Sequence, residues 1–157
     1  LVDTSGAYCG IGAEERGQGQ AIAENLMEMM TLRVPIVSII IGEGGSGGAL
    51  GLAVADEVWM LENAVYSAIS PEGCASILWK DTSRVQEASE CLKLTAQDLL
   101  SFGVIEQIIS EQEGQESVYA TIGKQLHQTI AANAALPVEE LLENRYQKFR
   151  KIGGALA

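Results

Sequence analysis

Ile41-Gly42-Glu43-Gly44-Gly45-Ser46-Gly47-Gly48-Ala49-Leu50 is the stretch on which the fold turns. Five of the seven residues from Gly42 to Gly48 are glycine. Ordering them is costly, because glycine loses more backbone freedom on folding than any other residue. The segment must gain something in return, such as a close approach of backbone to another group. A β-branched run, Val34 to Ile41, feeds the glycines. It has no polar alternation and reads as a strand buried on both faces. Good helix formers from Ala49 to Ala55 follow. The first amides of a helix lack partners and carry partial positive charge. A strand–glycine–helix junction therefore stabilises an anion, bound or developing.

Three readings of the segment stand side by side. Gly42, Gly44 and Gly47 satisfy G-x-G-x-x-G, and Glu62 lies 20 residues after Gly42, as in a dinucleotide fingerprint. Against this, a parallel crossover needs a helix long enough to return across the sheet, and only Ser46 to Ala55 is available. In the second reading the glycines only let helix and strand pack tightly. In the third, the amides of Gly47 and Gly48 form an oxyanion hole. Spacing does not choose between the last two.

Working outward, Leu1 to Asp3 resembles a strand end and Ser5 to Gly12 a loop. Residues 13–31 read as one amphipathic helix, with Ile22, Leu26, Met29 and Met30 as its buried stripe. Glu14, Glu15 and Arg16 suit a helix start. Val58 to Leu61 and Val65 to Ile69 read as short strands, and Ser70 to Gly73 as a turn or helix entry. Residues 84–94 read as helix. Thr95 with Asp98 resembles a capping box, and Gly103 is placed to end that helix. Val104 to Ile109 is a last strand. Helical pattern returns from Glu116 to Ile152, broken at Pro137. The alternation of strands and helices indicates an α/β class.

At 157 residues the chain suits one domain. Its formal net charge of −11 argues against a nucleic-acid partner. No apolar run approaches the roughly 18 residues of a membrane helix. The three cysteines, Cys9, Cys74 and Cys91, fit neither a zinc signature nor a disulfide framework, so a cytoplasmic location is expected. The opening Leu1-Val2-Asp3-Thr4 reads as the middle of a strand, with no signal peptide, so an N-terminal portion is expected to be missing. A serine nucleophile at Ser46 would need a base beside it, and the sole histidine, His127, lies in a polar C-terminal helix. Cys74 suits a small core residue. Trp79 and Lys80 suit either a partner contact or, for Trp79, the core. Arg145, Lys148, Arg150 and Lys151 form a basic face, either solvated or set against coenzyme A phosphates.

Three stretches carry a family resemblance. They are Asp3 to Gly10 (DTSGAYCG) running into Ala13 to Gln18 (AEERGQ), Ile41 to Leu50, and Ser70 to Lys80 (SPEGCASILWK) followed by Asp81. Together they resemble the carboxyltransferase alpha subunits of bacterial-type acetyl-CoA carboxylase, over about residues 1–109 with an echo at Asn144-Arg145-Tyr146. Ser5 and Cys9 stand where the family usually has proline, which leaves that loop less stiff.

The resemblance implies an α/β crotonase fold of repeated ββα units. It implies a single, N-terminally truncated domain over 1–157, with residues 116–152 as a helical extension. It implies the alpha half of a two-protein site that moves a carboxyl group from carboxybiotin to acetyl-CoA, giving malonyl-CoA for fatty acid synthesis. The ureido group left by the departing carboxyl acts as the base. Oxyanions on biotin and on the thioester need only backbone amides, here Gly47 and Gly48. Gly6 and Ala7 would line the same pocket, with Gly44, Gly45 and Ser46 as further substrate contacts. Biotin arrives on a separate biotin carboxyl carrier protein. The beta subunit, with its zinc ribbon, holds acetyl-CoA; no metal is expected in this chain, and an α2β2 heterotetramer is expected. The alternatives are a subunit of a related biotin-dependent acyl-CoA carboxylase or decarboxylase, and a non-catalytic assembly fragment.

Overall fold

A computed structural model describes residues 1–112 and 114–154. Five strands form one sheet: β1 (Val2–Thr4), β2 (Val37–Gly45), β3 (Glu57–Leu61), β4 (Val65–Ser67) and β5 (Gln107–Ile109). The path runs β1-β2-β3-β5, and β4 also pairs with β2; every ladder is parallel. The two halves of β2 have different neighbours. Val37 to Ile40 pair with β3, while Glu43 to Gly45 pair with β4. Residues 62–64 are the jog that hands β2 from one to the other.

Among the described residues, eight α-helices surround the sheet: α1 (Ile11–Glu15), α2 (Gln18–Thr31), α3 (Ser46–Ala53), α4 (Pro71–Trp79), α5 (Val85–Leu92), α6 (Ala96–Ser101), α7 (Gln115–Ala134) and α8 (Val138–Lys151). Alternation along β2 and β3 buries both faces. Ile40, Val58 and Met60 pack with Ala49 and Ala53 of α3 and with Leu99 of α6. Ile39 and Trp59 face the other way, onto Ile109 and Val118, with Ile122 and Leu126 of α7 behind. Fully burying each large apolar side chain contributes roughly 1.5–3 kcal/mol. A smaller cluster of Cys74, Ala75 and Ala88 joins α4 to α5, with Trp79 half-buried at its edge. The Arg84 guanidinium lies 4.3 Å over the Trp79 ring.

Several local expectations hold. Ser70 caps α4, its Oγ accepting from Gly73 N. Thr95 Oγ1 accepts from Asp98 N at 3.3 Å, although the Asp98 carboxylate accepts from the Thr95 hydroxyl rather than from the Thr95 amide. Gly103 sits at φ +67°, which suits glycine after a helix. The helical stretch breaks at Pro137, between α7 and α8.

Other expectations are corrected. Residues 13–31 are two helices, because Gly17 adopts φ +76° between α1 and α2. The α2 stripe of Ile22, Leu26, Met29 and Met30 is half-buried, not buried. The strand expected over Val34 to Ile41 instead runs Val37–Gly45, taking in the first glycines, since β4 supplies a parallel partner there. The last strand is shorter than Val104 to Ile109. The crossover argument also fails, for α3 does connect the parallel strands β2 and β3. The eight residues of α3 and the three that follow it return the chain to the start of β3, beside Val37.

Candidate functional site at the glycine-rich helix start

Four of the five glycines of the segment have a neighbour that leaves no room for a side chain. A Cβ on Gly42 would strike the Asp3 carboxylate, whose Oδ1 accepts from Glu43 N at 2.9 Å. On Gly44 it would press Tyr66 and Ile40. On Gly45 it would overlap the carbonyl of Ser5, and on Gly48 it would lie 2.7 Å from Ala7 N and 2.9 Å from Gly6 C. The Ser5-Gly6-Ala7 loop thus lies against the start of α3, backbone on backbone. Thr4 holds the loop there: its Oγ1 accepts from Gly6 N and donates to Gly6 O, each at 3.2 Å. Gly6 itself takes φ +132°, a region other residues rarely adopt. Gly47 differs from the rest. A Cβ there would meet only Ile22 methyls of α2, at 3.9 Å.

No side chain caps α3, so its first amides have no partner from its N-cap residue. Two cavities open beside them. The first, about 330 Å³, is apolar; Ser46, Gly47, Leu50, Tyr66, Phe149 and Ile152 are on its wall. The second, about 470 Å³, has Ser5, Glu43, Gly44, Gly45, Ser46 and Ser70 on its wall. Ser46 and Ser67 border both. Ser46 has φ +50°, a left-handed conformation costing a non-glycine residue roughly 1–2 kcal/mol. Backbone strain of this kind gathers at functional sites.

The structure therefore brings Gly44, Gly45, Ser46 and Gly47 to cavity walls. Gly6, Ala7 and Gly48 form the packed layer directly behind them. Tyr66, Ser67, Phe149 and Ile152 were missed in the sequence; they come from a short strand and a distant helix, and no spacing links them. Burial raises the pKa of the Tyr66 hydroxyl, which keeps it protonated. Ser67 Oγ donates to Ile69 O at 2.7 Å. In a largely apolar cavity, free amides at a helix start stabilise a developing negative charge more than in water.

The competing readings fare differently. Glu62 is occupied: its carboxylate accepts from Glu111 N, Ser110 Oγ and Gln112 Nε2. Those hydrogen bonds, the Glu111 amide first, lower its pKa. It fastens the loop after β5 and is not free for a ribose. His127 is exposed on α7. Only half of the basic face is surface: Arg150 and Lys151 are exposed, but the other two residues turn inward. Arg145 is buried against Asp56, and Lys148 pairs with Glu106 at 2.7 Å. Among the described residues, no group of three or more His, Cys, Asp or Glu is arranged to hold a metal ion, and no helix is long and apolar enough to cross a membrane.

The parallel sheet, the β3-β4-α4 succession and the glycine-edged helix start define a crotonase-fold protein. Solved structures agree on the fold. A Pseudomonas malonate decarboxylase hetero-tetramer in complex with coenzyme A matches with TM-score 0.76 and 17% identity, over 92% of this chain and 59% of that one. A transcarboxylase 12S structure with methylmalonyl-coenzyme A and methylmalonic acid bound matches with TM-score 0.64 and 17% identity, over 78% of this chain and 26% of that one.

Residues 1–153 match the family model described as acetyl co-enzyme A carboxylase carboxyltransferase-like, and the chain belongs to that family. It is 61% identical over 154 residues to the acetyl-coenzyme A carboxylase carboxyl transferase subunit alpha of Ruminiclostridium cellulolyticum, covering 98% of this chain and 59% of that protein. To the protein of the same name from Clostridium acetobutylicum it is 56% identical over 158 residues, covering 98% and 58%. The chain thus spans less than two thirds of the length of these relatives.

Proposed function

We propose that this chain supplies the alpha half of the carboxyltransferase of acetyl-CoA carboxylase, which moves a carboxyl group from biotin on the biotin carboxyl carrier protein to acetyl-CoA. The observation that carries the reading is the position of Gly47: an amide in the first turn of an uncapped helix, on the wall of an apolar cavity, in a chain of this family. An apolar fused ring with a polar urea edge suits such a cavity. Carboxybiotin, when bound, supplies the carboxyl group and a ureido base.

The chain's own residues do the rest. The N–H groups of Gly47 and Gly48, backed by the α3 dipole, donate to the ureido oxygen as negative charge develops on it. Gly6 and Ala7 fix the helix start from behind. Gly44, Gly45 and Ser46 line the second cavity as substrate contacts. Leu50 and Tyr66 keep water from the first. No side-chain nucleophile is required. The reading includes a cytoplasmic α2β2 assembly in which a beta subunit with a zinc ribbon holds acetyl-CoA.

The complete alpha subunit containing this sequence, mixed with its beta subunit, carboxybiotin and acetyl-CoA, should form malonyl-CoA, and neither subunit should do so alone. No malonyl-CoA from the assembled pair would refute the reading. Equal turnover by the alpha subunit alone would refute its two-protein form.

A further inference from the structure

The reactions above make no use of α8, yet α8 reaches the site. Phe149 of α8 and Ile152, the residue just past its end, line the apolar cavity that Gly47 also lines. Arg145 lies four residues before Phe149, so the two project from the same face of the helix. Arg145 is 1% exposed and uses all five of its N–H groups. Nε donates to Asp56 Oδ1 at 2.8 Å, and Nη2 to Asp56 Oδ2 and Val34 O, each at 2.9 Å. Nη1 donates to Met29 O and Leu32 O, each at 2.8 Å. Asp56 Oδ2 in turn accepts from Ile36 N at 2.7 Å. One turn on, Lys148 Nζ donates to Glu106 Oε2 at 2.7 Å. A planar fork with every donor matched leaves the helix one position. That position sets where Phe149 and Ile152 stand.

The cavity's size indicates what these side chains meet. A two-carbon acetyl group would leave most of about 330 Å³ empty, and unfilled apolar space forfeits contact energy. The fused bicycle of biotin has an apolar body of more suitable size, with its urea edge free to face the Gly47 amide.

We propose that Phe149 and Ile152 grip the apolar body of the biotin ring, and that Arg145 is the positioning residue that holds them there. This rests on the proposed function, and the unsubstituted assembly separates the two. If it forms no malonyl-CoA, that reading fails; if it does, the variants judge α8.

The test uses the assembled complex with two readouts: binding of fluorescein-labelled biocytin by fluorescence polarisation, and KM for biocytin and for acetyl-CoA. Phe149→Ala should weaken biocytin binding about tenfold and raise KM for biocytin to match, the loss of one ring's apolar contact. KM for acetyl-CoA should not move. Phe149→Leu should recover most of the loss. Arg145→Lys, which keeps the charge but not the fork, should reproduce the Phe149→Ala pattern. Tyr146→Ala, at an exposed position outside the cavity, should change nothing. Should Phe149→Ala prove unfolded, Ile152→Ala carries the test, because Ile152 is 41% exposed and its loss is structurally mild. Unchanged biocytin affinity in folded Phe149→Ala or Ile152→Ala would overturn the proposal. A shift confined to acyl-CoA, with longer acyl chains newly accepted, would overturn it as well and assign the cavity to the acyl group.

Discussion

A methyl group on Gly48 would lie 2.7 Å from Ala7 N and 2.9 Å from Gly6 C, both backbone atoms with nowhere to go. Gly48→Ala should therefore destabilise the protein by about 1–3 kcal/mol, the usual cost of overpacking. Gly47→Ala has 3.9 Å of room and keeps its amide, so its melting temperature should match or exceed the native one. Thermal melts of both variants check the contrast, and equal destabilisation would contradict it. The sequence alone does not separate these two glycines. Both stand at a helix start, and the difference lies in what the Ser5-Gly6-Ala7 loop touches after folding. The reading of an anion site and the reading of tight packing prove compatible: Gly42, Gly44, Gly45 and Gly48 have packing reasons, while Gly47 faces the cavity.

At the scale of elements, periodicity and caps located most helices, because Ser70, Thr95, Gly103 and Pro137 act through local geometry. What escaped was tertiary. The strand character of Gly42 to Gly45 depends on β4, which lies about twenty residues on in the chain. The inward aim of Arg145 and Lys148 depends on Asp56 and Glu106. A charged residue on a helix is read as solvated unless its partner is known. Lys148 gives a pH test of this packing. Burial, the largest cause, lowers its pKa below the ordinary 10.5, outweighing the hydrogen bond and charge of Glu106. A lysine with a lowered folded pKa binds fewer protons folded than unfolded, so its burial cost is fully present below the folded pKa. That cost is relieved as pH rises from there towards 10.5. Relative to Lys148→Met, the native protein should therefore gain stability as pH rises through the alkaline range towards 10.5, as urea denaturation would measure. A relative loss over that range would contradict the burial argument.

Across the whole molecule, Arg145 joins segments far apart in sequence: the end of α2, the entry to β2, Asp56 before β3, and α8. Removing one partner from a buried ion pair leaves the other uncompensated, so Arg145→Met should cost about 3–5 kcal/mol in urea denaturation. Asp56→Asn in the same chain should return part of that loss. The α/β class and the carboxyltransferase-alpha resemblance were legible in the first 109 residues, in motifs that carry the backbone shape of the site. The contribution of α8 was not, since it requires knowing where a helix some hundred residues after α3 docks. The central claim is that the α3 amides hold the charge of the reaction. It is tested most directly by replacing the Gly47 N–H with an ester oxygen in a semisynthetic subunit. The exchange removes one donor, adds no side chain and breaks no helical hydrogen bond of that amide. The same exchange at Gly19, the matching place in α2, is the control. With the fold intact and the control active, malonyl-CoA formation should fall about 10²–10³-fold. A Gly47 ester that keeps a rate within about twofold of the native assembly, where loss of a donor should cost at least a hundredfold, would contradict the account.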